Sequence, residues 1–109
     1  MVVCVAKAGL PEPRQRLVEL MQSVNFGRIE NLPIRNSQPV LDPSPRKVFE
    51  IKFASENGPR PELGNADFLL KQQVVELFAF FDDLQNGVID VLEIKHGLPF
   101  RAIVVEVRA

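Results

Sequence analysis

The chain has 109 residues with a formal net charge of −1, 46% hydrophobic and 25% charged residues, a composition that excludes long disorder and fits one globular domain. Its apolar stretches are broken by Lys or Glu well short of the ~20 residues a membrane span needs, so no membrane role is expected. One cysteine, Cys4, excludes an internal disulfide and fits a reducing cytoplasm.

Met1–Ala6 is apolar, too short for a signal core, and is either an edge strand or a loose terminus. Pro11 and Pro13 suit the start of a helix, whose first turn needs no intrahelical N–H. Leu17, Leu20, Met21 and Val24 then follow helical spacing, and Asn25 to Gly27 supplies the stop. Arg14 and Arg16 lie early in this helix, where the dipole disfavours positive charge. They are either tolerated in water or used to meet an anion.

After Gly27 the apolar period turns towards two. Leu32 and Ile34 share a face but Ile29 has opposite parity, which calls for a bulge or a corner. Asp42-Pro43-Ser44-Pro45 interrupts the return, because proline cannot donate to a central ladder. The return strand is therefore expected at Lys47–Ala54, with Phe49, Ile51 and Phe53 facing the core. Residues 55–66 read as a connector.

A second helix is expected to start near Asn65 or Asp67 and run to about Gln85. Leu70, Val74, Leu77, Phe78, Phe81 and Leu84 fall on one side of it, with Phe68, Val75 and Ala79 nearly opposite. Asn86-Gly87 closes it. A strand then carries Ile89, Leu92 and Ile94, His96-Gly97 turns, and Arg101–Val107 returns with Ile103, Val105 and Val107 on one face.

The two halves follow one template. Residues 27–40 and 87–100, sixty apart (87 minus 27), match without a gap at Gly27/Gly87, Ile29/Ile89, Leu32/Leu92, Ile34/Ile94 and Pro39/Pro99. Glu30/Asp90 and Arg35/Lys95 keep their charge. Each stretch follows a helix containing V-E-L, at Val18–Leu20 and Val75–Leu77. The pattern implies a duplicated helix–hairpin unit; the alternative is two ordinary hairpins with common residues. The expected fold is α+β, a four-stranded antiparallel sheet with two helices on one face. Unit one spans about 11–54 and unit two about 67–107, within a single domain, 1–109. The expected core is Leu17, Leu20, Met21, Leu32, Ile34, Phe49, Ile51, Phe53, Val74, Leu77, Phe78, Phe81, Leu92, Ile94, Ile103 and Val105.

The inventory for catalysis is thin. His96 is the only histidine and sits in a turn, and Cys4 lies in an apolar run, so neither joins a His/Cys metal cluster. No Gly-rich phosphate loop occurs, and no enzyme or cofactor is expected. Residues 82–93 resemble an EF-hand calcium loop at Asp82, Asn86, Gly87, Asp90 and Glu93. Leu84 offers no oxygen at the third place, and Gly97 and Pro99 would cut short an exiting helix, so no metal site is adopted.

Residues 1–60 carry nine Lys/Arg against six Asp/Glu, and residues 61–109 four against eight. Arg28, Arg35, Arg46, Lys47 and Lys52 form a candidate phosphate-facing surface, with Arg60 exposed between Pro59 and Pro61. The competing reading is a solvated strand face balanced by Glu30 and Glu50. Phe26-Gly27-Arg28-Ile29 gives residues 17–53 a likeness to the small bacterial proteins of the YezD-like type, built from a helix, an F-G step and a hairpin. The chain departs from it at Pro43 and Pro45, and the resemblance implies a fold without an activity.

The expected function is a non-catalytic binding or assembly module that forms a homodimer or a stable partner complex, with Phe68, Val75 and Ala79 as its interface. A weak nucleic-acid-associated protein is the alternative and a calcium-loop protein the third reading.

Overall fold

The computed structural model describes residues 9–51, 53 and 71–105. Expectations for Met1–Ala6, Lys52, Arg60 and Phe68 lie outside them. Helix α1 (Glu12–Val24) leads into β1 (Gly27–Arg35), β2 (Gln38–Pro39) and β3 (Arg46–Phe49). Helix α2 (Gln72–Leu84) leads into β4 (Gly87–Lys95) and β5 (Leu98–Ile103). The sheet is antiparallel throughout, in the order β2-β1-β4-β5, with β3 continuing beside β1 beyond β2. The fold class is α+β, as expected.

Pro11 caps α1 and Pro13 stands in its first turn. Leu17, Val18, Met21 and Val24 are buried along its inner side. Asn25 stops the helix at φ 63°, its N–H returning to the Met21 carbonyl at 2.9 Å. Helix α2 ends likewise at Gln85, φ 60°, whose N–H reaches Phe81 at 2.8 Å. The α2 start differs from expectation. Lys71 is extended and the helix begins at Gln72; Asn65 and Asp67, where the start was expected, lie outside the described residues.

Ile29, Leu32 and Ile34 of β1 and Ile89, Leu92 and Ile94 of β4 all point into the core, each at most 1% exposed. The parity conflict is resolved by two residues between buried positions in each strand. Glu30 and Asn31, the latter at φ 55°, do this in β1, and Asp90 and Val91 do it in β4. Because both strands carry the step, their register continues past it, from Glu30↔Val91 to Leu32↔Ile89. Val74, Leu77, Phe78 and Phe81 of α2 complete one core with α1 and the inner face of the sheet. Both helices therefore cover the same face.

Matching elements start sixty residues apart: α1 and α2 (72 minus 12), β1 and β4 (87 minus 27), β2 and β5 (98 minus 38). The central pairing reads the same in either direction. Gly27 faces Ile94 and Ile34 faces Gly87. Both hairpin turns have positive φ at their two central residues, Asn36-Ser37 and His96-Gly97, which suits the twist of the flanking strands.

The return strands depart from expectation. In unit one the chain turns back at once through β2, breaks at Asp42–Pro45, and resumes as β3 from Arg46 to Phe49. In unit two the register shifts between Glu93 and Ile94. Ala102 consequently stands opposite Leu92, while Ile103 stands opposite Val91 on the outer face. Ile103 is 40% and Val105 79% exposed, so neither belongs to the core. Phe49, Ile51 and Phe53 are also exposed, because β3 ends at Phe49 and lies on the edge of the sheet. Leu20 is only partly buried. Val18, Val24, Ile29, Leu41 and Ile89 fill the places left in the core.

Candidate functional site

The outer face of the sheet carries the charged side chains that β1 and β4 direct away from the helices. Arg28 donates from Nε to Glu30 at 2.7 Å, and Arg46 Nε lies 3.2 Å from the other oxygen of the same carboxylate. The Arg28 hydrogen bond holds the Glu30 carboxyl below the usual range. On the far side, Arg101 donates from Nε to Glu93 at 2.9 Å. These exposed pairs set orientation more than stability.

The four described basic candidates thus do not form one surface. Arg28 and Arg46 meet at Glu30. Lys47 lies across from Ile29, on the opposite parity from Arg46. Arg35 sits at the far end of β1, across from Gln38. Arg14 and Arg16 meet anions of this chain. Arg14 donates to Asp82 at 2.7 Å and to the Ser37 carbonyl at 2.8 Å, with its guanidinium 5.0 Å from the Phe78 ring centre. Arg16 reaches Asp42 at 3.2 Å, and that partner raises its pKa.

Of the helical interface candidates, Val75 is half-buried and Ala79 exposed. The larger apolar exposure lies at β5 and just past it, where Phe100 is 56% exposed and Ile103 and Val105 are exposed as well. Phe100 and Ala102 form one wall of an open cleft of about 200 Å³, with Gln73, Glu76, Leu77 and Phe80 of α2 opposite. Lys95 Nζ lies 4.1 Å and Arg101 Cζ 5.8 Å from the Phe100 ring centre, so two cations approach one aromatic. Sequence periodicity missed this cluster, because Phe100 falls at the register shift between β4 and β5, which is a property of the pairing.

The acidic stretch 82–93 is the end of a helix followed by a strand. Gly87–Lys95 is β4, Asp82 binds Arg14, Asp90 accepts the Val105 N–H at 2.8 Å, and Glu93 binds Arg101. Among the described residues no group of three His, Cys, Asp or Glu side chains converges as a metal site would require. His96 is exposed and packs edge-on to Phe26 at 4.7 Å. No helix among the described residues is long and apolar enough to cross a membrane.

No family model matches the chain, and neither the curated proteins nor the solved structures include a significant match.

Proposed function

We propose that this protein is a small binding and assembly module, built by internal duplication, that self-associates through the β5 edge. The observation that carries this reading is the exposed Phe100 at the mouth of the α2–β5 cleft, with Ile103 and Val105 exposed further along the same stretch of chain. Burying apolar surface yields roughly 25 cal/mol per Å², so a few hundred Å² is enough to favour association. Edge strands that stay monomeric are commonly blunted by proline or lysine. On the β1 side, Pro39, Pro43, Pro45 and Lys47 supply such blunting, whereas β5 has Pro99 near its start and Arg101. The sixty-residue offset of elements and the reciprocal register support duplication. The single cysteine suits a reducing cytoplasm.

Sedimentation at micromolar concentration tests the proposal on the native chain, on Phe100→Glu/Ile103→Glu and on Val75→Glu. The expected result is a native dimer that the double substitution converts to a folded monomer. A native chain that sediments as a monomer overturns the reading. If Val75→Glu alone dissociates the dimer, the interface lies on α2 instead.

A second reading, weak nucleic-acid association, draws on Lys95 and Arg101 flanking an exposed aromatic, an arrangement suited to stacking beside a phosphate backbone. Such binding falls steeply with salt. An affinity unchanged by salt or by Lys95→Gln excludes it.

A further inference from the structure

The contacts between the two units are reciprocal in their backbone and not in their charges. Ser37 N–H donates to the Gln85 carbonyl at 2.9 Å, and Gly97 N–H donates to the Asn25 carbonyl at 2.9 Å. Each helix end is therefore closed by the hairpin turn of the other unit. The strands that meet at the centre carry the same inward side chains, Ile, Leu and Ile, at Ile29/Ile89, Leu32/Leu92 and Ile34/Ile94. In backbone and core, either unit would accept a copy of itself.

The polar pairs break that degeneracy. Arg14 of unit one meets Asp82 of unit two, the arginine side chain being 11% exposed. Placing a copy of unit one opposite itself would set Arg14 against Gln22, the template equivalent of Asp82. Placing unit two opposite itself would set Asp82 against Val74, the equivalent of Arg14. On the outer face Arg28 stands across from Glu93, and Pro33 across from Val88. Like-with-like pairing would put Arg28 across from Pro33 and Glu93 across from Val88. Unit one is a basic partner fitted to an acidic one.

We propose that the surface on which the units meet is an exchangeable docking interface, whose partner is the opposite unit of a second copy of this chain, selected by the Arg14–Asp82 pair. In the single chain the covalent tether supplies an effective concentration on the order of millimolar, so the closed form predominates at micromolar concentration. Weakening the match within a chain while preserving it between chains directs the units to exchange. This inference does not use the β5 edge.

The test uses full-length chains, all carrying Phe100→Glu/Ile103→Glu so that edge association is removed. Arg14→Glu places two carboxylates together within its own chain, and Asp82→Arg places two guanidinium groups together. Exchange between these two variants makes both composite interfaces complementary. One holds the native Arg14–Asp82 pair, and the other holds the reversed pair, with the carboxylate on α1 and the guanidinium on α2. Each variant is unfolded in urea, and the two are refolded together and apart at about 100 µM, a tenth of the tether's effective concentration. Native mass spectrometry then counts the species. The expected result is a 1:1 heterodimer enriched about tenfold over either homodimer, the ratio that one decade in affinity gives. The combination Arg14→Glu/Asp82→Arg in one chain is expected to stay monomeric. The absence of 1:1 enrichment on joint refolding overturns the proposal, whether or not either variant folds alone.

Discussion

Gly27 lies against the Val48 carbonyl so closely that a Cβ on it would fall far inside van der Waals contact with that oxygen. Its φ of 151° is also one that side-chain-bearing residues rarely adopt. The close approach is where β1 leaves the F-G step and takes up β3, with Gly27 across from Phe49. Gly87 holds the same place in the template, but there a Cβ would meet only the flexible end of Leu84, at 3.1 Å.

Gly27→Ala is therefore expected to cost about 3 kcal/mol or more, from backbone strain and a displaced edge strand. Gly87→Ala is expected to stay within about 1 kcal/mol. Urea denaturation of both variants checks the difference. Equal effects would mean that β3 does not hold Gly27 as described.

Phe78 is 4% exposed and its ring lies 5.6 Å from that of Phe81, which is fully buried. Phe78→Ala is expected to cost about 3–5 kcal/mol. Phe53, at 93% exposure, is expected to tolerate alanine within about 0.5 kcal/mol. Thermal melts of the two variants separate a core ring from a surface one.

The Glu30 carboxyl is held below its ordinary range, first by the Arg28 hydrogen bond. A depressed folded-state value means the pairing contributes fully above the ordinary carboxylate range, about 4.3, and is lost as pH falls through the folded value. An NMR titration of the Glu30 side-chain carboxyl is expected to show this, and Arg28→Gln is expected to move the midpoint upward. A midpoint unchanged by that substitution would assign the effect elsewhere.

Millimolar calcium is expected to leave the melting temperature unchanged, since calcium wants six or more oxygens and Glu93 is engaged by Arg101 on a strand. Calorimetry showing stoichiometric calcium binding that Glu93→Gln abolishes would contradict this.

Local chemistry was legible wherever backbone conformation is decided by near neighbours. Pro11, Asn25, Asn86-Gly87 and His96-Gly97 marked element ends because each residue type limits φ or lacks a donor. The buried stripe of α2 was legible for the same reason, through spacing alone. The return strands were not. Whether Ile103 faces inward depends on a register shift at Glu93/Ile94, which belongs to the pair of strands and leaves no mark on either one. Phe49 and Ile51 alternate as core residues do, yet the chain places them on an edge that the helices do not cover. The arrangement of the charged candidates depends on pairing in the same way. Arg28 is two residues from Glu30 on β1, whereas only the β1–β3 pairing brings Arg46 to the same carboxylate.

The reciprocal bonds from Ser37 to Gln85 and from Gly97 to Asn25 have a mechanical consequence. Each helix is latched by a turn that belongs to the other half of the chain, so neither latch releases while the opposite hairpin holds its place. Damage confined to one half is thereby transmitted to the other as a loosened helix end. The molecule, though written as two sentences, breaks as one.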